Sequence, residues 1–155
     1  MKIMDFLSKK SIVADLKSSR KEDVIKELVD LLINAGELDK SCRAKVLDSL
    51  MERESLGSTA IGQGIAIPHA KSDCVSKLVG AFALSKKGVD FDSLDGEPVY
   101  IFFLLLAAQD SAGPHLKALA RISRLFKDKY FRENLRNCED DKQVVKVIGQ
   151  EDEKM

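Results

Sequence analysis

The stretch Val99-Tyr100-Ile101-Phe102-Phe103-Leu104-Leu105-Leu106 decides the fold, because apolar side chains occupy both alternating faces of the run. A strand of this kind has to be covered on each side, as the central strand of a sheet between helices is. A short buried helix is the alternative, but the length of the run, its adjacent aromatic residues and the preceding Pro98 favour a strand. The run therefore predicts a central strand with helices on both faces.

Helical patterns precede this strand in the sequence. Ser19-Arg20-Lys21-Glu22 has the spacing of a capping box, which predicts that a helix begins at Ser19. Apolar residues then recur at helical spacing over 24–35, and Gly36 provides a stop signal. The pattern over 40–53 predicts a second helix.

Strand and helix signals also alternate over the rest of the chain. Ile65-Ala66-Ile67 and Leu78–Leu84 are predicted as strands, and a turn-rich segment leads from the second of them into the central strand. Gly113-Pro114 predicts the start of the next helix, because proline fits the first helical turn. Two short helices are predicted over 130–136 and 140–148.

Together these elements predict a single α/β domain over residues 1–150, with a mixed central sheet sandwiched between helical layers. A polar C-terminal tail is predicted over 151–155. The length of 155 residues fits one domain, and neither a repeat nor a linker divides the sequence.

The charge balance argues against binding to nucleic acids. The sequence has 25 Lys and Arg residues and 25 Asp and Glu residues, so its formal net charge is zero. A nucleic-acid binder is expected to carry a basic excess. The longest apolar run has about half of the ~20 residues that a membrane-spanning helix needs, so we expect no direct membrane insertion.

The cysteines and the N-terminus indicate the compartment. Cys42, Cys74 and Cys138 are the three cysteines, and no Cys-x-x-Cys pair occurs. An odd number at wide spacing predicts free thiols rather than a disulfide framework or a zinc site. Because the N-terminal residues also lack the apolar stretch of a signal peptide, we expect a cytoplasmic protein.

Both histidines lie at junctions between predicted elements. His69 follows Pro68 at the carboxyl end of a short strand, and His115 is expected as the second residue of the helix that opens at Pro114. Ligands of open α/β sheets bind beyond the carboxyl ends of strands. A single histidine in such a place is more often a surface or hydrogen-bonded residue, but a pair of them favours a functional site.

The residues around the histidines are suited to hold an anion. The helix that opens at Gly113-Pro114 offers free amides and the positive end of its dipole. Arg53 can bind a phosphate through two hydrogen bonds, with a solvated arginine at a helix end as the alternative. Gly57, Gly62 and Gly64 allow close approach of the backbone, but they form neither a P-loop nor a dinucleotide-binding fingerprint.

Two clusters of charged residues have a simpler interpretation. The carboxylates at Asp90–Asp95 could bind a metal or exchange protons, but turns collect such residues, so we interpret them as turn residues. Lys117, Arg121 and Arg124 form a basic stripe, which is typical of a solvated helix face and could also receive an acidic partner.

A long stretch around His69 resembles the active-site signature of a known family. The stretch is Arg53-Glu54-Ser55-Leu56-Gly57-Ser58-Thr59-Ala60-Ile61-Gly62-Gln63-Gly64-Ile65-Ala66-Ile67-Pro68-His69-Ala70-Lys71. It is similar to the signature of enzyme IIA domains of the fructose/mannitol/nitrogen-regulatory class, which belong to the bacterial phosphoenolpyruvate-dependent sugar phosphotransferase system. Residues 88–99 and 114–119 also resemble that family, so the likeness covers nearly the whole chain.

The resemblance implies roles for four residues. His69 matches the histidine that accepts the phosphoryl group, and His115 matches the second histidine of the active site. Arg53 matches the arginine that contacts the phosphate, and Thr59 falls where the family usually has a threonine beside the site. The resemblance also implies an α/β fold with a mixed sheet, and Nε2 as the phosphorylated nitrogen.

The implied function is that of a phosphoryl carrier with a phosphohistidine intermediate. Its donor is the phosphocarrier protein HPr, and its acceptor is an enzyme IIB, expected as a separate chain. The segments His69–Asp73 and Gly88–Asp92 favour the fructose-type branch. We expect neither a cofactor nor a metal, because a single phosphoryl group moves between imidazoles and no cluster has metal-ligand spacing.

Two other classes of function are kept beside this one. The first is a nitrogen-type regulatory IIA protein, whose phosphorylation state controls its binding to partner proteins. The second is a metal hydrolase that would use His69, His115 and the carboxylates at Asp90–Asp95.

Overall fold

The computed structural model describes residues 1–154, which form one mixed sheet, five α-helices and two short 3-10 helices. The strands are β1 Leu7–Val13, β2 Ala60–Gly62, β3 Ile65–Ala66, β4 His69–Ser72, β5 Val79–Val89 and β6 Val99–Ala108. The helices are α1 Lys21–Asn34, α2 Arg43–Ser55, α3 Ala112–Leu125, α4 Lys129–Arg136 and α5 Asp141–Glu153. Within these residues, no helix has the length and apolar character needed to cross a membrane.

β6 is the central strand of the sheet. It pairs antiparallel with β5 along one edge, and parallel with β3 and then β4 along the other. β1 extends the sheet beyond β5 in parallel pairing, and β2 extends it beyond β3 in antiparallel pairing. The predicted central strand and the mixed sheet are confirmed.

Alternate residues of β6 pack into two separate cores. Phe102 and Leu104 belong to the core under α1 and α2, whereas Ile101 and Phe103 belong to the core under α3, α4 and α5. All four side chains are buried. Because each face of the strand removes apolar surface from water, the sheet needs a helical layer on both sides, and the predicted architecture is confirmed.

The start of α1 differs from the sequence prediction. The helix begins at Lys21 with Arg20 as its N-cap, so the predicted capping box at Ser19 is wrong. The preceding segment is held from the side of the helix, because the N–H and the hydroxyl of Ser18 donate to Glu27 at 2.9 and 2.7 Å. These two hydrogen bonds, rather than a capping box, fix the position of the residues that precede α1.

Three strands lie where the sequence analysis places none. β1 carries the polar run Ser8-Lys9-Lys10 and lies at an edge of the sheet, where one side of a strand meets solvent and hides the apolar signal. β2 and β4 are only three and four residues long, too short for an alternating pattern to stand out in the sequence. β4 begins with His69, which the sequence analysis predicts as a site residue.

The predicted polar tail is wrong for most of its length, since α5 continues to Glu153. Asp152 on this helix is buried and accepts hydrogen bonds from the amides of Ile3 and Met4 at 2.8 and 2.9 Å. It also pairs with Arg121 at 3.1 Å. Arg121 is therefore buried between helices, and the interpretation of residues 117, 121 and 124 as one solvated basic stripe holds only for the exposed Lys117 and Arg124.

The prediction that all the cysteines are free thiols is also wrong. Cys42 and Cys74 form a disulfide, with Cα atoms 6.2 Å apart, while Cys138 is buried outside it. The bond links the start of α2 to the loop after β4. Residues so far apart in the sequence meet only through the packing of α2 against β4, and spacing along the chain carries no signal of that contact.

Candidate active site

His69 lies at the junction where the sequence predicts a site. It opens β4 and pairs with Leu105 of the central strand. Its Nδ1 lies 2.8 Å from the carbonyl oxygen of Ile67. Because a carbonyl oxygen can only accept, Nδ1 carries the proton and donates it, and the neutral ring keeps its lone pair on Nε2.

α3 brings His115 against His69. The two ring centroids are 5.4 Å apart, and the ring planes are inclined by 73°. His115 is the fourth residue of α3 rather than the predicted second, because the helix already begins at Ala112. The residue is only 6% exposed, and among residues 1–154 its Nε2 has no hydrogen-bond partner. A buried polar atom in this condition is rare and unfavourable, and a catalytic role is one explanation for it.

Burial lowers the pKa of both histidines below the ordinary value. For His69, burial is the largest cause of the lowered pKa. The hydrogen bond to Ile67, the next largest effect, raises the pKa. The charge of Arg53 lowers the pKa further, and the charge of Glu54 raises it. Burial is also the main reason for the lowered pKa of His115, and the charges of His69 and Lys71 add to it. The neutral imidazole, which is the nucleophilic form, is thereby favoured at neutral pH.

Arg53 lies in the last turn of α2. Its Nη1 donates to the carbonyl oxygen of Gly57 at 2.8 Å, which bends the side chain over the end of the helix. Its charge contributes to the lowered pKa of His69, so the guanidinium lies within electrostatic range of that ring. Since a guanidinium has five N–H donors, several stay available to an anion beside His69.

Thr59 is buried against Glu54. Its backbone N–H donates to the carboxylate oxygens of Glu54 at 3.1 and 3.0 Å, and its hydroxyl donates to the same carboxylate. A hydroxyl has a single proton, so Thr59 has no side-chain donor for a phosphoryl group while this bond holds. The structure therefore brings the rings of His69 and His115 together, with the charge of Arg53 within electrostatic range of His69, whereas Thr59 is bound to Glu54.

Sequence reasoning missed Glu54 and Lys21. Lys21 Nζ lies 3.2 Å from Glu54 Oε1, and the Glu54 side chain is only 2% exposed. Glu54 directly follows Arg53 in the family-like signature, and that position is the only sequence signal that could have found it. Lys21 comes from the first turn of α1, and nothing in the sequence connects it to the site.

The carboxylates at Asp90–Asp95 include one with a clear structural role. Asp95 accepts hydrogen bonds from the N–H of Gln63 at 2.9 Å, the hydroxyl of Ser93 at 2.7 Å and the N–H of Glu97 at 3.0 Å. These bonds, that from Gln63 first, lower the pKa of Asp95 and support its interpretation as a turn residue. In the described part of the chain, no three His, Cys, Asp or Glu side chains come together as metal ligands.

A family comparison matches almost the whole chain. The family model described as "Phosphoenolpyruvate-dependent sugar phosphotransferase system, EIIA 2" matches residues 5–151. The match includes every residue of the site described above.

Similar proteins carry two kinds of name. The chain is 40% identical over 152 residues to the "PTS system fructose-specific EIIABC component" of Bacillus subtilis, covering 98% of this chain but only 24% of that protein. It is 39% identical over 149 residues to a "Nitrogen regulatory protein" of Bradyrhizobium diazoefficiens, covering 96% of this chain and 95% of that one. The crystal structure of nitrogen regulatory protein IIA-Ntr from Neisseria meningitidis has a TM-score of 0.85 and 34% identity, and covers 94% of this chain and 98% of that one.

The fold and the site define an α/β domain with a histidine pair where the sheet meets a helix. The matching family, nearly full-length relatives and a closely similar structure agree on which domain this is. The chain belongs to the EIIA 2 family of the phosphoenolpyruvate-dependent sugar phosphotransferase system, and it is a phosphotransferase component.

Proposed function

We propose that this chain is a phosphoryl carrier, which accepts a phosphoryl group from phospho-HPr on His69 and passes it to an enzyme IIB, in fructose-type sugar uptake. The observation that carries the proposal is the orientation of His69. Its Nδ1–H is bound to the carbonyl of Ile67, so the lone pair of Nε2 is the reactive position.

In the proposed step, the Nε2 lone pair of His69 attacks the phosphorus of the donor phosphohistidine. The new N–P bond forms as the N–P bond of the donor breaks, and the electron pair of that bond stays on the donor imidazole. Since one imidazole replaces another, the step is nearly balanced in free energy and reversible. Transfer to enzyme IIB repeats the exchange, with His69 as the leaving group.

Phosphoryl transfer has a loose transition state with charge on the equatorial oxygens, so the protein acts mainly by positioning and electrostatic stabilisation. Arg53 offers guanidinium N–H groups at the end of α2. His115 offers its unpartnered Nε2 from α3, as a donor when that atom carries the proton. The free amides in the first turn of α3 add positive potential.

Exposed apolar side chains near these residues support exchange with protein partners. Leu56, close to Arg53 in the sequence, is 80% exposed, and Leu116, next to His115, is 66% exposed. Large apolar side chains beside a reactive group are typical of a surface that binds another protein. A phosphorylated histidine on a donor has to reach His69 across such a contact.

Regulation is the second candidate function, and the comparisons favour it to a similar degree. The nitrogen regulatory relative matches at nearly full length in both chains, whereas the fructose-specific relative contains much more than this domain. As a regulator, the chain would bind its partners in one phosphorylation state and release them in the other.

Onward transfer tests the choice between the two functions. The chain, phosphorylated by phospho-HPr and purified, is mixed with a purified fructose-type enzyme IIB, and the label on each protein is followed. Rapid movement of the label to enzyme IIB supports the transport role. A label that stays on the chain, or returns only to HPr, contradicts it and favours the regulatory role.

A further inference from the structure

The buried carboxylate of Glu54 has a set of partners that phosphate binding does not explain. It accepts hydrogen bonds from the amide and the hydroxyl of Thr59, and it is paired with Lys21 at 3.2 Å. A carboxylate that is 2% exposed is strongly destabilising without such donors. These contacts therefore hold Thr59 firmly against the end of α2.

Lys21 is itself held in place on the far side of Glu54. Its Nζ lies 3.5 Å from the carbonyl oxygen of Phe91, 3.4 Å from Asp92 and 4.8 Å from the centroid of the Phe91 ring. The ammonium group is thus fixed between the carboxylate and an aromatic ring, and α1 contributes a rigid cation to the contact.

Two backbone carbonyls connect this contact to His69. The carbonyl oxygen of Thr59 accepts the N–H of Ile67 at 3.0 Å. The carbonyl oxygen of Ile67 accepts the Nδ1–H of His69 at 2.8 Å. Glu54 therefore holds Thr59, and Thr59 in turn positions the carbonyl of Ile67 that accepts the hydrogen bond from His69.

We propose that Glu54, supported by Lys21, is a positioning residue for His69. By fixing Thr59, it fixes the carbonyl of Ile67, which keeps the proton on Nδ1 and leaves the Nε2 lone pair directed to the incoming phosphorus. The inference rests on the proposed function, because it explains how the phosphoacceptor is kept in its reactive tautomer. It also gives Thr59 a role through its backbone rather than through contact with the phosphate.

The test compares ¹⁵N NMR signals of the His69 ring in the unphosphorylated protein, at a pH well above the pKa of imidazole. In the native chain we expect a protonated Nδ1 and an unprotonated Nε2. In Glu54→Gln, which loses the charge and one acceptor, we expect both tautomers and a fall in the rate of single-turnover transfer from phospho-HPr. In metal sites, loss of a residue that orients a ligating histidine typically costs about 10–100-fold, and we expect a fall of similar size here.

Glu52→Gln is the matched control, because it removes the same charge from an exposed position on α2. It tests whether the loss of any carboxylate charge from α2 is enough to produce the effects, and we expect the native tautomer and the native rate. A folded Glu54→Gln variant with the native tautomer and rate overturns the proposal. So does a Glu52→Gln variant that reproduces the effects of Glu54→Gln.

Thr59→Val provides a second variant in case Glu54→Gln does not fold. It removes the hydroxyl and keeps the backbone amide, so we expect a smaller shift between tautomers, and no shift contradicts the proposal. The tautomer is measured without any phosphoryl transfer. A native chain that takes no phosphate on His69 thus refutes the proposed function, while the NMR comparison still decides the positioning of the ring.

Discussion

Replacing His115 by Ala should slow phosphoryl transfer while leaving the fold intact. Within residues 1–154, the Nε2 of His115 has no hydrogen-bond partner, so its removal breaks no bond of that atom in the unphosphorylated protein. The ring lies 5.4 Å from that of His69, within reach of a phosphoryl group on the latter. The lost interaction is therefore one that forms only as phosphate moves.

The size of the expected loss of transfer rate follows from the burial of His115. Removing one donor that meets developing charge in a water-excluded site costs about 2.7–4 kcal/mol of transition-state stabilisation. Each factor of ten corresponds to about 1.36 kcal/mol, so this range is about 10²–10³-fold in rate. Because Arg53 and the amides of α3 remain, we expect the lower end of that range.

The assay is single-turnover transfer from purified phospho-HPr, with the label on the chain followed over time. Arg124→Ala is the control, because it removes an exposed side chain near the other end of the same helix. Circular dichroism and thermal unfolding check that both variants fold. A folded His115→Ala variant that accepts phosphate within a factor of ten of the native rate would refute the reasoning.

Three further predictions concern the same site. Arg53→Lys should lower the transfer rate about 10–100-fold, because an ammonium cannot keep the hydrogen bond to Gly57 and also form a bidentate contact with phosphate. A native transfer rate in this variant would contradict the prediction. Excess EDTA should leave transfer from purified phospho-HPr unchanged, since only side chains and amides meet the charge; loss of the rate with chelator and its return with Zn²⁺ or Mg²⁺ would revive the metal-site interpretation. Both histidines have a lower pKa in the folded chain than in the unfolded chain. As the pH falls below the ordinary histidine pKa, the unfolded chain therefore binds more protons than the folded chain does. The free energy of unfolding, measured with urea, should therefore fall on acidification below about pH 6.5, and less steeply in a His69→Ala, His115→Ala double variant.

The central part of the fold could be predicted from local patterns. β6 is apolar on both faces, and only a strand between two helical layers buries such a sequence. Gly36 adopts a φ of +78°, a conformation that favours glycine, so the end of α1 could also be predicted from the sequence. These features act over a few residues, and for that reason they are visible in the sequence.

The features that sequence reasoning missed depend on contacts between distant residues. Arg121 looks like part of a solvated stripe until α5 brings the buried Asp152 against it. Cys42 and Cys74 look like free thiols until α2 packs on β4. No periodicity or spacing along the chain encodes these pairs.

Some residues of the candidate site could likewise be predicted from local sequence, and others could not. His69, His115 and Arg53 could be proposed from a family-like signature and from their places at element ends. Glu54 could not be given a role, because its partner Lys21 comes from a different helix and its effect on His69 passes through two backbone carbonyls.

The most direct test of the account is to map the phosphate after incubation with phosphoenolpyruvate, enzyme I and HPr. The account predicts a single acid-labile phosphoryl group per chain, bound to Nε2 of His69 and absent from His69→Ala. His115→Ala should still take up the group on His69, only more slowly. Full-yield phosphorylation of His69→Ala, or phosphate mapped to another residue of the native chain, would contradict the central claim.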